Sequence, residues 1–318
     1  MKTINEIEEA FAHYRAISQI KPAPYAVTYF FRFCRKHSTD GYIHQEPADE
    51  WAKTRPGEDL CTRYTRVFPV KQMLEYACQR GWTNVTIEND VRSYTRPKKM
   101  IFLTEEEIGN FFRACDEYID SAHKISGRRY RHNPLTIKVL FLLMYSAGLR
   151  PSEARLLART DVNTDNGVVS IRATKGYREH IVVAGDDMLK VLRRYDEVID
   201  SIVPNRIAFF PNHSGGYFVG TWLTIKFRKL WYKYNQRRAV SYCFRHHYAI
   251  DNINSWNGIS IDDAYDKLLS LSRSMGHGKL ADTLYYYSLS PQYANNMREL
   301  SSHNINQIIH DIPDENEY

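Results

Sequence analysis

The sequence predicts a mainly α-helical protein with one small antiparallel β-sheet. Apolar residues recur at helical spacing through most of the chain, and Thr-x-x-Glu capping patterns precede two of the helical segments. One stretch rich in β-branched residues interrupts this pattern and has the spacing of a hairpin. With 318 residues, of which 43% are hydrophobic, the chain is long enough for two domains.

An N-terminal helical domain is predicted over residues 1–88. Thr3 and Glu6 form a capping-box pattern at the start of its first helix. Further helices are predicted over 25–37 and 69–79, and Gly81 closes the second of these. The apolar residues that recur at helical spacing in the first helix are Ile4, Ile7, Phe11 and Tyr14.

Residues 89–100 break the helical periodicity and are predicted to form a linker. The segment is either a solvated loop or a basic strap along a phosphate backbone, where each neutralised phosphate would release counterions. The salt dependence of binding to a polyanion would distinguish the two. Its four basic residues are Arg92, Arg96, Lys98 and Lys99.

A larger, mostly helical domain is predicted over 101–318. Thr104 and Glu107 form a second capping box, and an apolar helix over 134–147 ends at Gly148. Later helices are predicted over 186–200, 221–235, 244–253 and 262–273.

The β-branched stretch lies inside this second domain. Valine and isoleucine dominate 168–171 and 181–183, and the two runs flank Lys175 and Gly176. Such runs around a short polar connection predict an antiparallel hairpin with Lys175 at its tip.

Charge and cysteine content restrict the function only loosely. The formal charge of +6 and the pI near 8.9 fit a polyanionic partner but also fit many other proteins. Five scattered cysteines indicate neither a disulfide framework nor a zinc site, so reduced thiols and a cytoplasmic location are expected.

Residues 1–9 lack the apolar stretch of a secretory signal, and the longest apolar run, 139–149, is about half the length that spans a bilayer.

Four separated segments each contain a polar residue suited to phosphate chemistry, and the first contains Arg150. This arginine follows Gly148, and Glu153 lies about one helical turn further on. An arginine in this place can present its planar fork to two phosphate oxygens, and the glutamate can hold its orientation. A surface Arg–Glu pair is the alternative interpretation.

The second and third segments contribute a lysine and another arginine. Lys175 could reach a cleft formed by another element, although lysines at hairpin tips are usually solvated. Arg245 lies near a predicted helix start and could supply a second guanidinium. His246 and His247 follow it, and at most one of them should serve the site because adjacent helical residues point to different faces.

The fourth segment combines a Gly-His pair with a run of tyrosines. His277 follows Gly276, and Tyr286 comes nine positions later in the middle of three consecutive tyrosines. Because the chain has 23 tyrosines, such a triple could also serve packing alone.

In this order the motifs resemble the tyrosine recombinases, also called the phage integrase family. The resemblance covers roughly residues 101–290, and residues 1–88 resemble that family's core-binding domain. It therefore implies a DNA-binding domain over 1–88 and a catalytic domain with a C-terminal tail over 101–318. The motifs are Gly-Leu-Arg-Pro-Ser-Glu-Ala, Thr-Lys-Gly on a hairpin, an Arg-His pair, Gly-His, and a tyrosine nine positions after that histidine.

The resemblance implies roles for the residues that bind the phosphate. Arg150 and Arg245 would grip the scissile phosphate and stabilise its pentavalent transition state, with Glu153 supporting the site. His277 would hydrogen-bond a non-bridging oxygen of the same phosphate. Lys175 would protonate the departing 5′ oxygen.

The resemblance also implies a nucleophile. Tyr286 would attack phosphorus and form a 3′-phosphotyrosyl link, which conserves the energy of the diester so that rejoining needs no ATP. Tyr285 and Tyr287 are less suited, because successive helical residues point about 100° apart and only one can face a given cleft.

Tyr242 is the one departure from the family's pattern. The family usually has histidine three residues before the second arginine, and this chain has Tyr242 there. A phenol can donate a hydrogen bond to phosphate, but with a reference pKa of about 10 it is a poor base near neutral pH. Tyr242 either contributes to catalysis as a donor or merely packs, so the acceptor of the Tyr286 proton stays open.

The implied partners are double-stranded DNA at specific sites and further copies of the chain, as a tetramer on paired sites. No metal, cofactor or membrane is expected. Arg63, Arg66 and Lys71 are candidates for contacts with DNA, where phosphate contacts would outnumber contacts to bases.

Two other functions remain open at this stage. A type IB topoisomerase would use the same chemistry on a single duplex, and a plasmid assay that scores relaxation against site-dependent exchange would separate the two. A DNA-binding regulator that retains the fold without catalysis is the alternative from another class. A metal-dependent nuclease fits less well, because the sequence has no carboxylate cluster suited to magnesium.

Overall fold

The computed structural model describes residues 1–17, 25–88, 100–125, 132–172, 179–256, 259 and 261–289. Within these ranges the regular secondary structure is helical apart from one two-stranded sheet, which confirms the predicted fold class. The chain divides into two compact units, Met1–Lys99 and Met100–Tyr318. The basic residues predicted in the linker, Arg92, Arg96, Lys98 and Lys99, lie outside the described residues.

Over residues 1–17 and 25–88, the first unit contains four helices around a core of its own. The capping box predicted at the chain start is present, since Thr3 and Glu6 exchange backbone and side-chain hydrogen bonds. Apolar side chains from all four helices, including Ile7, Phe30 and Trp51, are buried together. The helices are α1 (Ile4–Ile17), α2 (Tyr25–His37), α3 (Gln45–Ala52) and α4 (Leu60–Gln79).

Helix α4 begins nine residues before the predicted start at Pro69. Asp59 is its N-cap and accepts a hydrogen bond from the backbone N–H of Thr62. Pro69 therefore lies inside the helix, where it removes one backbone donor. Buried apolar residues on both sides of the proline, among them Val67 and Val70, hold the helix in the core.

The second unit contains eight helices within its described residues. The capping box predicted at Thr104 and Glu107 is present, and Met100, which was assigned to the linker, packs against this unit. The helices are α5 (Glu105–Ile125), α6 (Asn133–Ala147), α7 (Pro151–Arg155), α8 (Asp186–Ile202), α9 (Gly220–Trp231), α10 (Cys243–Asn254), α11 (Ile261–Ser274) and α12 (Ala281–Tyr287).

The predicted hairpin is present as two short antiparallel strands. Strand β1 (Val168–Ile171) pairs with β2 (His180–Val183), and Val169 lies opposite Val182. Both of these valines are buried, whereas Ile181 is exposed, as expected for strands with one face on the core. The tip of the hairpin, with Lys175, lies outside the described residues.

Two apolar clusters fix the relative positions of the helices in this unit. The larger cluster contains aromatic residues of α5, α6, α9 and α10, such as Phe111, Phe141 and Phe244. The smaller one joins the C-terminal half of α10 to α11 and α12 and includes Met275 and Tyr286. Helix α10 belongs to both clusters, so it holds α12 against the rest of the unit. None of the helices in the described ranges is both long enough and apolar enough to cross a bilayer.

Candidate active site

The end of α6 provides the first element of the site. Gly148 adopts a left-handed conformation with φ +63° and ends the helix, as its position in the sequence predicted. A side chain at this position would overlap the ring of Tyr248 on α10. The glycine thus permits both the turn toward Arg150 and the close packing of α10 against the end of α6.

Arg150 is held by Glu153 at the start of α7. The backbone N–H of Arg150 donates to Oε2 of Glu153 over 2.8 Å, and its Nη1 donates to Oε1 of the same carboxylate. Nη2 donates to the carbonyl oxygen of Gly276 over 3.2 Å. Because Glu153 is only 1% exposed, the interpretation as a surface ion pair is wrong.

Arg245 is fully buried on α10. Its Nη1 donates to the carbonyl oxygen of Gly148 over 2.8 Å, and its Nη2 donates to that of Met275. Nη1 also lies 3.9 Å from Oε2 of Glu153, so one carboxylate faces both arginines. Burial, and then the positive charge of Arg150, lowers the pKa of Arg245.

The donors of Arg245 that the backbone does not use are relevant to anion binding. A guanidinium has five N–H groups, and the two carbonyl contacts leave Nε and one hydrogen on each Nη, with the Tyr286 hydroxyl as a further hydrogen-bond partner. Nε makes no hydrogen bond within the part of the chain that the structure describes. A buried cation with such donors is suited to an anion.

His277 approaches the two arginines from the loop after α11. Gly276, with φ +60°, ends that helix, and a Cβ atom there would lie 2.6 Å from the ring of His180 on β2. Nδ1 of His277 lies 2.6 Å from the hydroxyl oxygen of Thr283, which is fully buried. Burial, followed by the charges of Arg245 and Arg150, lowers the pKa of His277 to about 4, so this ring is neutral at pH 7.

Tyr286 is the buried member of the three consecutive tyrosines. It is 5% exposed, whereas Tyr285 is 43% exposed. Its ring lies parallel to that of His277, with centroids 6.0 Å apart. Burial and the neighbouring Tyr242 raise the pKa of Tyr286 to about 12, and the opposing effect of Arg245 and Arg150 is smaller.

A histidine contacts the hydroxyl of Tyr286. Nδ1 of His246 lies 3.0 Å from the Tyr286 oxygen. The ring of Tyr242 packs edge-on against His246, with centroids 4.9 Å apart. His247 points elsewhere and stacks on Tyr145, which agrees with the prediction that at most one of the two histidines serves the site.

An open cavity lies beside these residues. It has a volume of about 1050 Å³ and extends from the hairpin to the end of α11, with Arg172, Arg273 and His277 in its wall. It is large enough for part of an extended ligand. The part of the chain that the structure describes contains no group of three His, Cys, Asp or Glu residues able to hold a metal ion.

Comparison with known proteins identifies the family. The family model described as "Phage integrase family" matches residues 102–292, more than half of the chain. The chain belongs to the phage integrase family. The resemblance seen in the motifs of the second unit is confirmed.

Curated relatives match part of the chain. The "Probable integrase/recombinase protein MJ0367" of Methanocaldococcus jannaschii is 30% identical over 155 residues, which is 46% of this chain and 44% of that protein. "Tyrosine recombinase XerC" of Chlorobaculum parvum is 26% identical over 206 residues, 58% of this chain and 56% of that protein. The chain thus spans about half the length of the curated relatives it matches.

Solved structures share the fold. A lambda integrase dimer bound to a COC' core site has a TM-score of 0.61 and 11% identity, covering 89% of this chain and 77% of that chain. A lambda integrase tetramer bound to a Holliday junction has a TM-score of 0.59 and 10% identity over the same shares. At these identities the likeness shows only that this chain shares its fold with the two solved structures.

The structure brings together most of the residues that the motifs singled out. Arg150 and Arg245 lie beside Glu153, and the two arginines interact with both His277 and Tyr286. Tyr242 interacts with Tyr286. Lys175 falls outside the described residues. Sequence reasoning missed Thr283, although it lies one turn before Tyr286, and it did not decide which histidine beside Arg245 reaches the site.

The candidate DNA contacts on α4 have different environments. Arg66 is nearly buried and pairs with Glu58 through two hydrogen bonds of 2.6 Å. Arg63 donates to the carbonyl oxygen of Ala52 from Nε and Nη2. Lys71 is partly exposed. These contacts give Arg66 a structural role, which makes it the weakest of the three candidates.

Proposed function

We propose that this protein is a site-specific DNA recombinase that breaks and rejoins DNA through a covalent bond between Tyr286 and a 3′ phosphate. Membership of the phage integrase family supports this reaction class. The observation that carries the proposal is the setting of Tyr286, which is the one of three adjacent tyrosines buried beside Arg245, Arg150 and His277.

The charges around Tyr286 suit attack on a phosphodiester. Attack by a phenolate concentrates negative charge on the phosphoryl oxygens, and fixed donors that meet this charge contribute several kcal/mol each. Arg150 and Arg245 would supply such donors from positions held by Glu153 and by backbone carbonyls. Little rearrangement of these donors would then be needed during the reaction.

His277 would donate to the same phosphate as a neutral ring. If the hydroxyl of Thr283 donates to Nδ1, the ring proton resides on Nε2, which can then donate to a phosphoryl oxygen. The low pKa of His277 is consistent with this form, because burial and then the two arginines disfavour a positive charge on the ring.

Lys175 remains the proposed donor of a proton to the departing 5′ oxygen. Departure of an alkoxide near neutral pH needs such a donor, and a lysine on a hairpin loop can approach the leaving oxygen from outside the helical cluster. Cleavage and rejoining should then proceed in EDTA and without ATP, since the covalent link retains the energy of the diester.

Double-stranded DNA is the proposed partner, and four copies of the chain would act on two paired sites. The solved lambda integrase structures, which include a tetramer bound to a Holliday junction, support this assembly for a chain of the same fold. The basic residues of the proposed linker, 89–100, and Lys71 would add contacts to the phosphate backbone.

The proposal is tested by trapping the covalent complex. A duplex that the Tyr286→Phe protein selects from a random pool is synthesised with a nick beside each candidate cleavage position, so that the cleaved fragment diffuses away. Wild-type protein should give a complex that resists denaturation, and Tyr286→Phe should give none. A complex that persists in Tyr286→Phe would refute the nucleophile. Tyr285→Phe is the matched control and should form the complex.

The same DNA distinguishes recombination from topoisomerase-like relaxation. Plasmids with two copies of the selected site should exchange segments in a site-dependent manner. Relaxation of plasmids without the site, and no exchange with it, would favour the topoisomerase-like function instead.

A further inference from the structure

The hydroxyl of Tyr286 is in hydrogen-bond contact with a histidine to which the family resemblance assigned no role. Nδ1 of His246 lies 3.0 Å from the Tyr286 oxygen, and the ring centroids are 5.6 Å apart. His246 is on α10, directly after Arg245, while Tyr286 is on α12. Tyr286 and several α10 residues belong to one buried cluster, so packing of the two helices sets this distance.

The phenol of Tyr286 needs a proton acceptor when it attacks. Its pKa is raised to about 12, mainly by burial, so almost no phenolate is present at pH 7. The two arginines beside it carry only donors and cannot accept a proton. The acceptor must therefore be another group within reach of the oxygen.

Among the residues that the structure describes, the other candidates near Tyr286 are poor bases. His277 has a pKa lowered to about 4, and its Nδ1 is engaged with Thr283. Tyr242 is itself a phenol, and a protonated phenol accepts a proton far less readily than an imidazole does. A neutral imidazole accepts a proton far more readily than a phenol does, and Nδ1 of His246 lies 3.0 Å from the Tyr286 oxygen.

We infer that His246, and not Tyr242, accepts the Tyr286 proton during strand cleavage, a role that rests on the proposed function. The Tyr286 oxygen forms a bond to phosphorus as the bond from phosphorus to the 5′ oxygen breaks. The Tyr286 proton moves to Nδ1 of His246, and the 5′ oxygen receives a proton from Lys175. His246 leaves the step as an imidazolium and Lys175 as an amine, and both return to their starting states through solvent.

The decisive variant is His246→Asn. The amide oxygen of asparagine can occupy nearly the position of Nδ1, so it can still accept a hydrogen bond from Tyr286 but cannot take its proton. If His246 only holds the tyrosine in place, this variant should retain cleavage. If His246 is the acceptor, cleavage at pH 7 should fall about 100-fold.

The pH profile supplies a readout that a purely structural role would not change. Single-turnover cleavage of the nicked duplex by the full chain should rise with pH and reach a plateau once the imidazole of His246 is neutral. In His246→Asn it should keep rising about tenfold per pH unit to at least pH 9, because hydroxide must then remove the proton from a phenol with a pKa of about 12. A His246→Asn profile parallel to that of the wild type would overturn the inference.

Two variants serve as comparisons. His247→Asn changes the next residue on α10, which stacks on Tyr145 and does not contact Tyr286, and it should keep the wild-type profile. Tyr242→Phe should keep the wild-type plateau in its pH profile, whatever its cleavage rate. Loss of that plateau in Tyr242→Phe, but not in His246→Asn, would identify Tyr242 as the acceptor.

A measurement without DNA tests the same point in the resting protein. With histidine labelled with ¹⁵N and the His246→Asn protein used for assignment, Nδ1 of His246 should have the shift of an unprotonated, hydrogen-bonded nitrogen, with the proton on Nε2. A proton on Nδ1 would overturn the inference. Failure of the proposed function would look different from failure of this inference. In that case wild-type protein would form no covalent complex, or Tyr286→Phe would form as much complex as wild type.

Discussion

Arg245 donates from Nη1 to the carbonyl oxygen of Gly148 over 2.8 Å, although 97 residues separate the two in the sequence. Gly148 ends α6 two residues before Arg150, so the backbone that positions one arginine also anchors the other. The backbone at Gly276 likewise anchors an arginine, since its carbonyl oxygen accepts a hydrogen bond from Arg150. Both glycines have positive φ, and both approach a ring closely.

Substitution of Gly148 by alanine should therefore disturb both arginines. The left-handed conformation costs about 1–2 kcal/mol for a residue with a Cβ atom, and the overlap with Tyr248 adds to this, so we expect a loss of about 2–4 kcal/mol in the free energy of unfolding. Urea unfolding of the full chain would measure it. Gly109→Ala, on α5 with open space around it, is the control and should be neutral or stabilising by up to about 1 kcal/mol. Equal stability of the two variants would contradict this account of Gly148.

Removal of Glu153 should destabilise the protein more than a surface carboxylate would. Glu153 is buried between Arg150 and Arg245, so Glu153→Ala leaves a buried guanidinium without its counter-charge, at a cost of about 3–5 kcal/mol. Glu153→Gln should lose less, because the amide oxygen still accepts from the Arg150 N–H. Arg194→Ala, which breaks the exposed pair with Glu197, should leave the unfolding midpoint unchanged. A loss in Glu153→Ala no larger than in Arg194→Ala would show that the carboxylate is not needed.

The sequence was sufficient to predict the helices whose apolar periodicity is regular. Helix α8 begins at Asp186 as predicted, and the β-branched runs pair as predicted at Val169 and Val182. The predicted start of α4 was wrong. Pro69 favours a helix start, but burial of Val67 and its neighbours in the core stabilises helix before the proline as well. Helix α3 was missed because its eight residues are too few to establish a period.

The order of the motifs was sufficient to single out Arg150, Arg245, His277 and Tyr286, which the fold brings close together. The contact between His246 and Tyr286 was not predictable, because it depends on the packing of α10 against α12 rather than on spacing along the chain. The burial of Glu153, which turns an ordinary i,i+3 pair into a structural ion pair, likewise arises only in the folded chain.

Acid should destabilise the protein partly through His277. Its pKa is about 4 in the folded state and near 6.5 in an unfolded chain, so the unfolded state binds more protons between these values. Stability is therefore retained above about pH 6.5 and lost as the pH falls toward 4.

Urea unfolding at several pH values tests this contribution. The free energy of unfolding should fall less steeply with falling pH in His277→Gln than in wild type. The difference in slope should be less than about 1.4 kcal/mol per pH unit, because the ring is partly exposed. His132, whose pKa is also lowered by burial, should account for part of the remaining slope. A steeper decline in His277→Gln would contradict the assignment.

Substitutions of Arg66 and Lys71 should show which of these α4 residues stabilises the fold and which contacts DNA. Arg66→Ala breaks a nearly buried pair with Glu58 and should lower the free energy of unfolding by about 3–5 kcal/mol without changing the salt dependence of DNA binding. Lys71→Ala should leave stability unchanged and reduce the slope of log affinity against log salt by about 1, as for the loss of one phosphate contact. Fluorescence anisotropy with the selected duplex over a range of salt concentrations measures the slope. A reduced slope in Arg66→Ala would assign that residue to the DNA contact instead.

The identity of the covalently linked residue tests the central claim most directly. The complex formed on a nicked duplex is digested with nuclease and trypsin, and the nucleotide-bearing peptide is fragmented in a mass spectrometer to locate the modified side chain. We predict that the phosphate is attached to Tyr286. Attachment to Tyr285, Tyr287 or any other residue would contradict the account.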